Sequence, residues 1–197
     1  MVHFNLYQKF CTPFNGRRVM LHLLTNQNQG DDLIKMFMAA PPEDTLFLRQ
    51  LIKDPNLIKE WLKQINHRQV IPLLAQDMDD KRIIAEAHMD RGQGGFKHIG
   101  EIQQIYVSRP FQNRGLGTLL IDHLIELARE ENLHWLKAEV VTEHKVAINA
   151  FLNKGFKIKA TLEDFFLTRN GLTYDVALMT RPVPGAVANA DDETEEF

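Results

Sequence analysis

The chain has almost no cysteine: Cys11 is the only one in 197 residues. An internal disulfide is therefore excluded, and a fold without one suits a reducing compartment. No Cys-His-Asn pattern surrounds Cys11, so it reads as a plain thiol rather than a nucleophile. An excess of basic charge is also missing. Lys plus Arg number 23 against 26 Asp plus Glu, for a net charge of -3 and a pI of about 6.2. Nothing in this balance favours a nucleic-acid backbone or an anionic membrane, which call for a basic face, and neither is expected as a partner, although a global sum leaves room for local basic patches. No apolar run is long enough to span a bilayer, and Met1 to Phe10 lacks the apolar core of a signal peptide. The expected location is cytoplasmic. The histidines His3, His22, His67, His88, His98, His123, His134 and His144 show no metal-ligand spacing such as His-Glu-x-x-His, so no metal is expected. There is no internal repeat.

What remains is an ordinary globular composition, 44% hydrophobic and 25% charged, in a chain long enough to bury a substantial core as one domain. Residues 1–16 read as irregular, punctuated by Pro13 and Gly16. Arg17–Leu24 reads as a strand. Asp31 and Asp32 stand where a helix N-terminus favours acids, followed by Leu33, Ile34, Phe37 and Met38 at helical spacing and stopped by Pro41–Pro42. A second helical stretch runs from about Glu43 to Ile65, broken near Asp54–Pro55. Val70–Gln76 and Arg82–Met89 form a hairpin turned by Asp77–Asp80. His98–Ser108 is a strand, Gly115–Glu131 a helix with an apolar face, Leu133–Val141 a strand and Glu143–Asn153 a helix ending near Gly155. Phe156–Thr168 and Thr173–Met179 form a hairpin around Arg169-Asn170-Gly171. Hairpins alternating with crossover helices imply an α/β fold: a mixed, mostly antiparallel sheet of about seven strands with helices on both faces. Residues 1–181 form the expected domain, and 182–197 an acidic flexible tail.

The chemistry concentrates where a strand, Glu101–Val107, turns through Ser108-Arg109-Pro110-Phe111 into Gln112-Asn113-Arg114-Gly115-Leu116-Gly117-Thr118 and opens a helix. A helix N-terminus offers unpaired N–H groups and a partial positive charge, a ready site for a phosphate. The glycines let an anion approach the backbone, and Arg114 adds charge at the rim. The dinucleotide fingerprint is excluded because Leu120 stands in place of its third glycine, and the P-loop because no Gly-Lys-Ser/Thr follows. The competing reading is that Gly115 and Gly117 only permit tight strand–helix packing.

Gln112-x-x-Gly115-x-Gly117 after Tyr106-Val107 resembles the acetyl-CoA signature of the GNAT acetyltransferase superfamily. Downstream, Ala147-Ile148-Asn149-Ala150-Phe151-Leu152-Asn153-Lys154-Gly155-Phe156 resembles that family's later helix. The resemblance covers roughly residues 17–181, and before the first signature it rests on element order alone. It implies acetyl-CoA as co-substrate, its pyrophosphate held by N–H groups of Asn113 to Thr118, and its pantetheine arm paired with the backbone of Ile105, Tyr106 and Val107 beside a splayed sheet. It implies transfer to a primary amine, on a small molecule or a protein, and allows a homodimer.

An ammonium must lose a proton before it attacks a thioester, and a placed carboxylate can take it. Glu101, eleven positions before Gln112, occupies a place where several family members carry a catalytic Glu. Its alternative role is an ion-pair partner, and Glu139 is the second candidate base. Strict alternation puts Glu101, Gln103 and Ile105 on one face of the strand and Ile102, Gln104 and Tyr106 on the other. Two positions depart from the family pattern. His144 replaces a usual Asn, and Phe151 replaces the Tyr that often protonates the departing thiolate. The thiolate then leaves unassisted, or receives a proton from Tyr106, Tyr174, His144 or water. Otherwise the protein is a non-catalytic acyl-CoA-binding regulatory module.

Overall fold

The computed structural model describes residues 7–14, 16–25, 27–48, 54–168 and 170–185. One mixed sheet organises them. Its strands are β1 (Gln8–Phe14), β2 (Arg17–Leu23), β3 (Val70–Asp77), β4 (Ile83–Arg91), β5 (Ile99–Val107), β6 (Trp135–Val141), β7 (Lys157–Leu167) and β8 (Thr173–Pro182). They lie in the order β1-β2-β3-β4-β5-β6-β8-β7. Only β5 and β6 run parallel. The helices are α1 (Gln27–Met38), α2 (Pro55–Gln64), α3 (Leu116–Glu130) and α4 (Lys145–Asn153).

The expected α/β architecture is therefore present, with eight strands in place of about seven. The added strand is β1, in the stretch read as irregular. Its mixed polar sequence gave no alternation, yet tertiary contacts hold it. Tyr7 is buried and its hydroxyl lies 2.8 Å from Nδ1 of His123 on α3. Helix α1 begins at Gln27, a turn earlier than Asp31–Asp32 suggested. The start of the expected second helix is instead a 3-10 turn, Pro42–Thr45. Helix α2 itself begins where Pro55 fits its first position and Asp54 caps it, the carboxylate accepting from the N–H of Asn56 at 2.8 Å. The rest of that stretch, 49–53, lies outside the described residues, as do Arg169 of the expected turn and most of the expected tail. Before the tail, β8 runs through Pro182, and buried Val183 donates its N–H to the carbonyl of His134 at 2.9 Å.

Each sheet face carries its own core. One side packs Ala85, Ala87, Met89 and Ile102 against Leu116, Leu120, Leu124 and Leu127 of α3 and Ile148 and Phe151 of α4. The other packs Leu74, Ile83 and Tyr106 against Leu33, Met36 and Phe37 of α1 and Ile58 of α2.

Strict alternation along β5 does not hold, and a bulge is the reason. His88 pairs with Gln104 while Met89 pairs with Ile102, so Gln103 is an extra residue on β5. Exposure still alternates from Ile99 to Val107, but the faces change at the bulge. Ile102 joins the α3 side together with Ile105 and Val107. Gln104 and Tyr106 belong to the α1/α2 side. Glu101, opposite Asp90 and next to Ile102, falls on that side too.

Candidate active site

The parallel pair β5–β6 stays in register only from Ile99–Trp135 to Ile102–Ala138. Beyond that point the strands diverge. A cavity of about 210 Å³ opens between them, lined by Ile102 to Ile105 on β5 and Ala138 to Val141 on β6. Backbone groups that the ladder would otherwise use face this opening, which is the splayed arrangement expected from the resemblance. Phe151 and His144 line it as well. Phe151 is buried, its ring 4.9 Å from that of Phe156 and edge-on to it.

Past Val107 the chain enters the loop before α3. Gln112 does not reach outward. Its side-chain amide donates to the carbonyl of Val107 at 2.9 Å and to Asp44 at 3.2 Å, closing the loop on itself. Arg109 grips Asp44 through Nη2 at 2.6 Å and Nε at 3.1 Å, and Glu43 at 2.8 Å, which holds its guanidinium charged; the Glu43 carboxyl is held below its usual range first by its own backbone N–H and then by Arg109. The 3-10 turn is thereby tied to the loop.

Asn113 and Gly115 both take left-handed backbone angles, φ 57° and 82°. The two glycines serve different ends. A Cβ on Gly115 would meet nothing within 4 Å, so its φ is what calls for glycine. A Cβ on Gly117 would meet only Val107 Cγ2, at 3.9 Å, so packing does not require glycine there. The open space beside the first turn of α3 is room for a ligand at a helix terminus whose first N–H groups have no intrahelical partner. Leu116 contributes backbone alone, because its side chain is in the core. Thr118 is half-buried and Arg114 exposed.

Glu101 stands one residue before the cavity lining begins. Its carboxylate lies 2.7 Å from Lys137 Nζ, and Lys137 also reaches Glu139 at 3.3 Å. Burial lowers the Lys137 pKa, but the two carboxylates outweigh it and raise the net value. His144 sits at the N-cap position of α4, makes no side-chain cap hydrogen bond, and has its ring 6.0 Å from that of Phe47. Desolvation holds its pKa below the ordinary 6.5, so it is neutral at pH 7 and has no proton to give. Tyr106 faces α1, 5.5 Å from Phe37, and lines a separate groove of about 760 Å³ rather than the smaller cavity. Burial raises its hydroxyl to about 12.

Sequence reasoning missed three features. The place of Phe47 is the first: it stands at the cavity, 5.2 Å from Tyr174 and 6.2 Å from Phe166 of the final hairpin. The buried pair Glu86 and His88 lies on β4, 2.8 Å apart. Buried Gln104 reaches Glu86 at 3.0 Å. The available signal was two polar residues, two positions apart, inside the apolar run Ile83–Met89. Among the described residues no group of three or more His, Cys, Asp or Glu side chains is placed to hold a metal.

A sheet splayed beside a glycine-opened helix N-terminus defines an acyltransferase fold. The sequence comparison is specific: the Acetyltransferase (GNAT) family model matches residues 32–156, and the chain belongs to that family. An uncharacterized N-acetyltransferase of Methanocaldococcus jannaschii is 33% identical over 67 residues, which is 34% of this chain and 30% of that protein. Among solved structures, the ribosomal-protein-S5-alanine acetyltransferase of Vibrio fischeri superposes with a TM-score of 0.74 at 13% identity, covering 86% of this chain and 95% of its own. The spermidine N-acetyltransferase of Vibrio cholerae, solved with CoA and spermine, superposes at 0.71 with 18% identity, covering 86% and 97%. A putative acetyltransferase from Salmonella typhimurium, solved with acetyl-CoA, does so at 0.71 with 17% identity, covering 86% and 96%.

Proposed function

We propose that this acyltransferase is an N-acetyltransferase that moves an acetyl group from acetyl-CoA to a primary amine by direct transfer. The observation that carries the reading is Gly117, whose missing Cβ leaves open space at the N-terminus of α3 that packing does not demand. The N–H groups from Asn113 to Thr118 would hold the pyrophosphate, with Gln112 keeping the loop closed behind them. The backbone of Ile105 to Val107 would pair with the pantetheine arm along the opening beside β6. Acetyl-CoA would supply the thioester. Glu101, on the side of the sheet away from α3, would take the proton of the acceptor amine. His144 and Phe151 would wall the cofactor arm. Amine acceptors named for the neighbouring structures, spermidine and ribosomal-protein alanine, support the amine class for a small-molecule or protein acceptor.

Titration calorimetry with acetyl-CoA on wild type and Gly117→Glu is the test. A carboxylate in the phosphate site should abolish binding while circular dichroism stays native. An absence of wild-type binding would remove the proposal altogether.

A further inference from the structure

Glu86 and Gln104 form a buried polar pair that the machinery above does not use. Both lie in the sheet beneath α2, Glu86 at 1% and Gln104 at 5% exposure. One Glu86 oxygen is 2.8 Å from Nδ1 of His88, whose ring centre lies 5.7 Å from that of Trp61, the two planes tilted by 40°. The other accepts from Nε2 of Gln104 at 3.0 Å. That bond uses the amide nitrogen, so the Gln104 amide turns its nitrogen to Glu86 and its carbonyl away. That carbonyl oxygen, Oε1, has no hydrogen-bond partner among the described residues, and Gln104 lines the cavity between β5 and β6. A buried carbonyl left without a donor costs on the order of 1–3 kcal/mol, so the site calls for an N–H or O–H.

We propose that Gln104 Oε1 is the docking point for the N–H of the acceptor amine, with Glu86 as the positioning residue that fixes the amide. This deepens the transferase reading and rests on it. The bulge at Gln103 is what selects the acceptor over the cofactor arm. It places Gln104 on the α1/α2 side of the sheet together with Glu101, opposite the side on which α3 packs. A carbonyl acceptor fits a primary amine well. It takes one N–H and leaves the nitrogen lone pair free to face the thioester. The bond strengthens as positive charge grows on nitrogen, so it acts on kcat as well as KM.

Steady-state kinetics on the full chain would test this, with acetyl-CoA and a panel of primary amines that includes spermidine and an alanine-initiated peptide. Gln104→Leu should raise the amine KM or lower kcat so that kcat/KM for the amine falls by about tenfold or more, the worth of one hydrogen bond to a developing charge. Acetyl-CoA affinity by calorimetry should stay at the wild-type value, which also shows that the variant folds. Gln104→Asn keeps the amide but withdraws it and should lose less. Glu86→Gln should shift amine kcat/KM in the same direction without moving acetyl-CoA affinity. Unchanged amine kinetics in Gln104→Leu would show that ordered water alone satisfies the carbonyl, and would overturn the proposal. A parallel loss of acetyl-CoA affinity would assign Oε1 to the cofactor and overturn it too. No wild-type turnover on any amine, with acetyl-CoA bound, would remove the transfer reading and this proposal with it.

Discussion

The ammonium of Lys137 lies 2.7 Å from the carboxylate of Glu101, across the last registered stretch of the parallel seam between β5 and β6. The proposed base thus has a built-in counter-charge, at the very point where the strands begin to part. If Glu101 takes the acceptor proton, Glu101→Gln should lower kcat by on the order of a hundredfold while leaving acetyl-CoA affinity unchanged. An ion-pair role alone gives a different result: kcat holds, and Glu101→Gln and Lys137→Met lower the unfolding midpoint alike. Kinetics and denaturation on the two variants separate the roles.

The two loop glycines predict opposite stability effects. Gly115 holds φ 82°, and an L side chain there is strained by about 1–2 kcal/mol. Gly117 has no positive φ, and its added Cβ would meet only an ordinary contact at 3.9 Å. Gly117→Ala should therefore be neutral or gain up to about 1 kcal/mol from a less flexible unfolded chain. Urea unfolding of both alanine variants reads this directly. Equal destabilisation would mean that both glycines serve packing.

The fold was legible where periodicity is strong. Ile83–Met89 and the α3 stretch from Leu116 to Ala128 carry their burial in their spelling. The edge strand β1 was not, because Gln8, Lys9 and Thr12 give no alternation and what holds it is the long-range contact of Tyr7 with His123. The loop before α3 could be read as a candidate site because its motif is contiguous. The bulge at Gln103 could not, since a bulge is a property of two paired strands, and it reversed the face assigned to Gln104 relative to Ile102. The approach of Phe47 to the hairpin aromatics and the Glu86–Gln104 pair escaped for the same reason: the partners are adjacent only in space.

The Glu86–His88 pair should show in the pH dependence of stability. Burial pushes the His88 imidazole down, but Glu86 at 2.8 Å, helped by Asp90, outweighs it, so the net pKa is raised. Trp61 from α2 and Gln104 from β5 add no charge to its surroundings. A raised folded-state pKa gives stability that is fully present below the unfolded value of about 6.5 and is lost as pH rises through the folded value. The stability gap between wild type and His88→Gln should accordingly be widest at acid pH and shrink at alkaline pH. Urea midpoints from pH 5 to 9 would measure it. A gap that does not change with pH would mean that His88 keeps one protonation state throughout.

In the proposed transfer, the departing thiolate finds no acid in His144, Tyr106 or Phe151, which leaves Tyr174 or water to protonate it. His144 is neutral at pH 7, Tyr106 faces α1 with its hydroxyl raised to about 12 by burial, and Phe151 has no proton to give. Tyr106→Phe should therefore leave kcat unchanged, with no lost limb in the pH profile. Phe151→Tyr places a hydroxyl on a ring that already lines the cavity. It should keep acetyl-CoA affinity and raise kcat, most clearly below pH 8.5, where a thiol near its usual pKa of about 8.5 leaves best as the protonated form. An unchanged kcat in Phe151→Tyr would show that thiolate departure does not limit turnover. A fall in kcat with Tyr106→Phe would return the acid to Tyr106, and with it the larger groove to the reaction path.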